Sequence, residues 1–207
     1  MTEAGCPLGS RPNGWKRELE TMFEKQKEEL RKILFHLSYE KREVTLASGK
    51  KSDFYFDGKQ TTLNGQGSVL VGLTMWELLQ RSGRKIEAIG GPTLGADPIV
   101  SAVSLISALK GKAIPAFIVR KEPKKHGTAA WIEGVKNLTP GMQVALVEDV
   151  VTSGGSILKA AQKVEEAGYF VSLIATIVDR EDGGAQVIRD KGYRFASLFT
   201  KSELLRS

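Results

Sequence analysis

The sequence predicts an α/β fold: a central, mainly parallel sheet flanked by helices, with a small N-terminal hood. Three observations predict it. From residue 86 onward, short apolar runs alternate with helical stretches, which is the pattern of βαβ units and a parallel sheet. The first 60 or so residues do not follow that alternation, so they form a cap rather than a second domain. The chain has 207 residues, 41% of them hydrophobic and 26% charged, enough for one domain with a sizeable core.

Taken in order, residues 1–13 contain Gly5, Pro7, Gly9, Pro12 and Asn13 and read as a loose tail. Over 15–37 apolar residues recur at Trp15, Leu19, Met22, Phe23, Leu30, Ile33, Leu34 and Leu37, a helical period with a charged opposite face. Glu28 and Lys32 are spaced to pair along it. That apolar face serves either the core or a second copy. Val44-Thr45-Leu46 reads as a strand, Ser48-Gly49 as a turn, and Phe54-Tyr55-Phe56 as a strand broken at Asp57-Gly58. A helix over 66–81 closes at Gly83. A strand over 86–89 turns at Gly90-Gly91-Pro92-Thr93 into a helix that runs to Leu109. Strand 113–119 leads into a basic loop. Strand 144–147 meets a Thr/Ser/Gly turn and a helix with Ile157, Leu158, Ala161 and Val164 on one face, ending at Gly168. Strand 171–178, a helical segment over 185–191 and a last strand over 195–199 complete the chain. The division expected is one domain over 1–207, with a tail (1–13), helix and hood (14–62) and core (63–207).

Several functional classes drop out. The single cysteine, Cys6, forms neither an intramolecular disulfide nor a structural zinc site, which fits a reducing, cytoplasmic setting. No apolar run approaches the ~18 residues of a membrane span, and no signal peptide is visible. The net charge of +6 is compatible with nucleic acid, with a polyanionic small substrate, or with a plain lysine-rich surface.

The most informative segment is Val144-Ala145-Leu146-Val147-Glu148-Asp149-Val150-Val151-Thr152-Ser153-Gly154-Gly155-Ser156. An apolar strand runs into two acids, then into a Thr/Ser/Gly turn that opens a helix. Ligands of parallel sheets bind at the carboxyl ends of the strands, and a helix N-terminus offers free N–H groups and a positive dipole end. A phosphate fits there. The two carboxylates would repel it and are better used on sugar hydroxyls beside it. The bland alternative is a sharp turn with Thr152 or Ser156 as helix cap. A dinucleotide fingerprint is absent, and Ser48-Gly49-Lys50-Lys51-Ser52 is an incomplete Walker loop because Val44 stands five residues before Gly49.

A second cluster, Arg120-Lys121-Glu122-Pro123-Lys124-Lys125-His126-Gly127-Thr128, leaves a strand end on the same sheet edge. Cations closing over a departing pyrophosphate stabilise the transition state more than the ground state; a solvated basic loop is the alternative. Tyr55 and Phe56 present either a face for a flat base or two core aromatics. Arg180 is the residue type for a carboxylate, or for a surface salt bridge.

Glu148 to Ser156 resembles the phosphoribosyl pyrophosphate (PRPP) motif of the type I phosphoribosyltransferases. The basic loop resembles the catalytic loop Arg-Lys-Glu-x-Lys-x-His-Gly of the orotate phosphoribosyltransferases. The stretch from Leu46 to Lys59 resembles that family's hood signature, Val178-Asp179-Arg180 its orotate-binding arginine segment, and Gly91-Pro92-Thr93-Leu94-Gly95-Ala96-Asp97 its short pyrophosphate loop, where a strained peptide is expected near Leu94-Gly95. The resemblance implies a type I phosphoribosyltransferase fold and transfer of the phosphoribosyl group of PRPP to orotate. It implies that Lys121 and Asp149 are catalytic. Arg120, Lys121, Lys124, His126, Glu148, Asp149, Val150, Val151, Thr152, Ser153, Gly154, Gly155 and Ser156 would bind PRPP or pyrophosphate, and Tyr55, Phe56, Thr152 and Arg180 orotate. It further implies Mg²⁺ held mainly by PRPP and water, and a homodimer that shares loop 120–128 across its interface, with no nucleic-acid or membrane partner. The sequence departs from some relatives at Ala47 and Gly95, where they carry Lys, which implies either that Lys50, Lys51 or Lys59 contributes or that affinity differs. It also has Glu148 where some carry Asp.

Overall fold

A computed structural model describes residues 14–45, 51–123 and 131–206. The expected tail, Cys6, the Leu46–Lys50 turn and loop residues Lys124 to Thr128 lie outside the described residues.

Helix α1 spans Gly14–Leu37 and leads directly into a two-stranded antiparallel hairpin, β1 (Tyr39–Thr45) and β2 (Lys51–Phe56). On α1, Phe23, Leu30 and Leu34 are buried, spaced as the amphipathic period requires. The expected Glu28–Lys32 pair spans 3.9 Å, while Arg31 lies closer, 2.8 Å from Glu28. Arg31 also donates to the carbonyl oxygens of Leu204 and Arg206, so α1 holds the C-terminal turn. β1 starts earlier than expected, because residues 40–43 are charged and exposed and show no apolar alternation.

Two helices follow, α2 (Lys59–Thr62) and α3 (Gly65–Arg81), then β3 (Ala88–Pro92), α4 (Asp97–Leu109) and β4 (Ala116–Val119). Asn64 caps α3 by accepting from the Gly67 N–H at 3.0 Å. β4 begins after Pro115 rather than at 113, as proline has no N–H for a ladder. The chain then returns as β5 (Ile132–Glu133), antiparallel to β4, a two-residue edge strand too short to register as a pattern. β6 (Gln143–Val151), α5 (Gly155–Glu166), β7 (Phe170–Asp179), α6 (Gly184–Asp190), β8 (Phe195–Thr200) and α7 (Lys201–Leu204) complete the described chain. Thr200 and Glu203 form a reciprocal capping box on α7.

The main sheet has the order β5-β4-β3-β6-β7-β8 and is parallel except at β5. Side chains alternate between its faces. Ala145 and Val147 of β6 face one core with α1, β2, α3 and α4; Val144 and Leu146 face the other with α5 and α6. The central strands are therefore apolar on both sides. Strand order reverses between β3 and β6, the position where open α/β sheets leave a crevice at their carboxyl ends. Gly91 permits the close approach there, since a Cβ would strike the Val147 carbonyl oxygen and come within 2.5 Å of the Ala96 Cβ.

Truncating Leu34, which is fully buried, should cost about 2–5 kcal/mol of unfolding free energy. Lys32→Ala on the exposed side of α1 should stay within about 0.5 kcal/mol. Urea titrations of both variants check this; equal midpoints would mean that α1 is not docked as described.

Candidate active site

The crevice between β3 and β6 is a cleft of about 870 Å³. Its walls come from four places: Lys59 at the start of α2, Thr93 to Gly95 after β3, Arg120 and Lys121 after β4, and Glu148, Asp149, Gly155 and Ser156 on either side of the β6–α5 turn. Lys159 and Lys163 of α5 and Trp131 line its far side. Of the expected site residues, Glu148, Asp149, Gly155 and Ser156 meet Arg120 and Lys121 in this cleft, whereas Val150, Val151, Thr152, Ser153 and Gly154 are not among its lining residues. Arg180, Tyr55 and Phe56 are not among its lining residues.

The turn is built for an anion. Gly154 is the residue before α5, left-handed at φ 78, and no side chain caps the helix. The alternative reading, in which Thr152 or Ser156 is the cap, does not hold. A helix start without a side-chain cap leaves its first-turn N–H groups available to a ligand. α6 braces the turn from below: the Gly184 N–H donates to the Thr152 carbonyl at 3.0 Å, and a Cβ on Gly154 would lie 3.1 Å from Ile188. Val151 is buried, Val150 and Thr152 half-buried, and Ser153, Gly155 and Ser156 exposed.

The two acids are handled differently. Glu148 accepts from the Ser156 hydroxyl at 2.7 and 2.9 Å. Its backbone carbonyl accepts from Thr176 at 3.0 Å. Burial pushes its carboxyl up to about 7, with the Asp149 charge adding to the rise and Ser156 and Lys121 opposing it. Asp149 is more deeply buried, 6% exposed. It accepts from the Val150 N–H at 2.9 Å, and Lys59 lies 3.8 Å from its other oxygen. Burial raises its carboxyl; Lys59 and the Val150 N–H lower it. The carboxyl is wedged between glycines, since a Cβ on Gly95 would sit 2.5 Å from Asp149 Oδ1 and one on Gly58 2.7 Å from its Cβ. A cis peptide joins Thr93 to Leu94, one bond ahead of the expected position.

Arg120 donates to Glu133 at 3.0 Å and to the Glu122 carbonyl at 3.1 Å. Lys121 is exposed at the cleft wall and near enough to Glu148 to affect its titration. In the hood, strand alternation separates the two predicted aromatics. Phe56 is buried in the core, whereas Tyr55 is half-buried with the Arg42 guanidinium 3.7 Å from its ring centre. Arg180, 8% exposed, donates to the Ser52 hydroxyl and the Phe54 carbonyl, both at 3.2 Å, and lies 5.3 Å from the centre of the Phe54 ring. Its Nε is buried without a hydrogen-bond partner, although Asp182 stands 3.1 Å away.

Thr93 lies in the segment expected as the pyrophosphate loop, whereas sequence reasoning gave no site role to Phe54, Trp131 or Lys159. Lys159 was open to detection, because it follows Ser156 by one helical turn on the same face of α5. Trp131 carries no local signal, as only the return of β5 brings it to the cleft.

No family model matches the chain. An orotate phosphoribosyltransferase from Sorangium cellulosum is 44% identical over 180 residues, covering 87% of this chain and 93% of that protein. One from a Nostoc strain is 44% identical over 172 residues, covering 83% and 82%. Among solved structures, Mycobacterium tuberculosis orotate phosphoribosyltransferase in complex with Fe(III) dicitrate has a TM-score of 0.75 at 37% identity, covering 87% of this chain and 99% of that one. The same enzyme in complex with PRPP gives 0.71 at 36%, covering 86% and 98%. The likeness runs over most of this chain and most of the length of these proteins, and the chain belongs to the orotate phosphoribosyltransferase family.

Proposed function

We propose that this chain transfers the 5-phosphoribosyl group of PRPP to orotate, giving orotidine 5'-phosphate and pyrophosphate in pyrimidine (UMP) biosynthesis. The observation that carries the reading is the meeting of a helix start without a side-chain cap, a half-buried and a buried acid, and the Thr93–Gly95 loop in one cleft at the strand-order reversal. The first-turn N–H groups of α5, with Thr152 to Ser156, hold the 5-phosphate. Glu148 and Asp149 accept from the ribose 2- and 3-hydroxyls. The Thr93–Gly95 backbone and Lys121 face the pyrophosphate, joined by Arg120, Lys124 and His126. Arg180 meets orotate, with Tyr55, Phe56 and Thr152 completing the base site, a guanidinium being suited to a carboxylate.

The C1–O bond to pyrophosphate breaks, orotate N1 bonds to C1, and the N1 proton is released. Charge grows on the departing oxygens, so a cation placed beside them acts more strongly in the transition state than before it. Among the described residues no cluster of three acidic, His or Cys side chains could cage a metal. Mg²⁺ would be held mainly by PRPP and water, as is usual for this ion. When bound, it supplies charge neutralisation on the leaving group. The chain acts as one domain and as a homodimer in which loop 120–128 serves the neighbouring site, a reading supported by the loop's likeness to the family's catalytic loop. A cytoplasmic location is supported by the lone cysteine; no described helix is long and apolar enough to cross a membrane.

Loss of orotate absorbance on adding PRPP and Mg²⁺, with adenine, hypoxanthine and uracil as controls, tests the reading; turnover of another base in place of orotate would overturn it. Lys121→Ala should lower kcat by roughly 10²–10³-fold with little change in orotate KM, and unchanged turnover would remove Lys121 from the mechanism.

Glu148 gives a pH test. Its carboxyl rises from 4.5 to about 7 on folding. Between those values the folded state holds a proton that the unfolded chain has released. Its contribution to stability is therefore complete below about 4.5 and disappears as pH rises through about 7. The melting temperature should fall more from pH 5 to pH 8 in the native chain than in Glu148→Gln. Parallel pH profiles of melting temperature would show that Glu148 does not titrate in this window.

A further inference from the structure

We propose that Lys59 is a positioning residue for Asp149: its ammonium, anchored on Asp57, holds the buried carboxylate charged and fixed beside the sugar site. The proposal rests on the reading that Asp149 faces the ribose of PRPP.

The geometry is specific. The Lys59 ammonium lies 2.6 Å from Asp57 Oδ1 and 3.8 Å from Asp149 Oδ2. Asp57 is itself held, accepting from the Lys59 N–H and from Gln60, both at 3.2 Å. The lysine is thus tied at its backbone and at its tip to one carboxylate, and the tip is aimed at a second. Gly58, between the two tied residues, lets this turn press on Asp149, where a Cβ would come within 2.7 Å of the aspartate Cβ. One carboxyl oxygen of Asp149 is engaged by the Val150 N–H, and the other faces Lys59. Asp149 is 6% exposed and the Lys59 side chain 41%, so solvent screens the pair from the lysine side only, and a separation near 4 Å still matters.

The charges around Asp149 are few. Asp57 and Lys59 face it from the hood side, and Glu148 adjoins it on β6. The Thr93–Gly95 loop contributes Gly95, which carries no charge. Burial and Asp57 raise the Asp149 carboxyl; Lys59 is the largest opposing influence. Without the ammonium, protonation of Asp149 moves toward neutrality, and a protonated carboxyl loses its capacity to accept two ribose hydroxyls.

The discriminating measurement is calorimetric binding of PRPP with Mg²⁺ to the full-length native chain, Lys59→Met and Lys59→Arg at pH 5.5, 7.0 and 8.5. Glu148 and Lys121 are unchanged throughout, so the affinity ratio at each pH isolates Asp149. Lys59→Met should bind PRPP about tenfold more weakly than the native chain at pH 5.5, where loss of the ammonium favours the protonated carboxyl. The deficit should shrink to within about threefold at pH 8.5, and Lys59→Arg should restore most of it. An equal deficit at every pH would mean that the ammonium touches the donor directly, and no deficit would mean that it has no role; either overturns the proposal. If Lys59→Met does not fold, Lys59→Gln is read by the same criterion. Orotate turnover by the native chain is scored separately: its absence alongside the pH-dependent deficit would overturn the orotate reading and leave Lys59 in place.

Discussion

Two carboxyl groups end a central strand where solvent is scarce, and much of the site is arranged around that constraint. Isolated buried carboxylates are strongly unfavourable unless protonated or partnered. Glu148 and Asp149 are adjacent, so each worsens the ionisation of the other. They are relieved by different means. Glu148 takes the Ser156 hydroxyl of the phosphate turn and lies near Lys121 of the basic loop. Asp149 takes a backbone N–H from its own strand and the lysine from the hood. The pair thus draws together elements that are far apart in sequence, and a substrate that offers hydroxyl donors completes what the protein leaves partly satisfied.

The same strand end must also tolerate a phosphate. Like charges so close would oppose binding unless the anion site pointed elsewhere. The left-handed Gly154 turns the chain so that the first-turn N–H groups of α5 and the two acids form neighbouring but distinct surfaces. α6 makes that turn rigid through the Gly184 hydrogen bond. A rigid separation of the two charge environments is what a sugar phosphate requires: donors for the phosphate, acceptors for the hydroxyls, and a fixed distance between them. Positioning of this kind lowers a barrier without any group on the protein forming a covalent bond.

Much of this was legible in the sequence, for identifiable reasons. The central strands announce themselves because burial on both faces demands continuous apolar runs. The β6–α5 turn announces itself because two acids followed by Thr, Ser and Gly are a costly arrangement without a ligand. What stayed hidden depends on tertiary return. β1 is charged along its exposed edge and mimics a loop, β5 is two residues long, and Trp131 reaches the cleft only through β5. The division of labour between Phe54, Tyr55 and Phe56 was also hidden. Residue types alone mark an aromatic cluster, whereas strand alternation decides that Phe54 and Phe56 face the core and that Arg180 lies over Phe54. The Ser156 hydroxyl, expected at a phosphate, donates to Glu148, a pairing that becomes visible only when the turn is built.

The hood joins the two halves of the site. Ser52 and the Phe54 carbonyl hold the Arg180 guanidinium at one end of β2, and Asp57 and Lys59, just past its other end, reach Asp149. A short extended strand is stiff along its length, at about 3.3 Å per residue, and this one is pinned by the stacked rings of Phe54 and Phe56 in the core. The arginine that suits an anionic base and the lysine that faces the sugar-side acid are therefore set on one ruler. A shift of β2 large enough to displace Arg180 would carry the Asp57–Lys59 turn with it, because Gly58 is already in contact with Asp149 and leaves no slack to absorb the movement. Close packing at a glycine thus couples the Arg180 contacts of the hood strand to the position of Asp149 on β6.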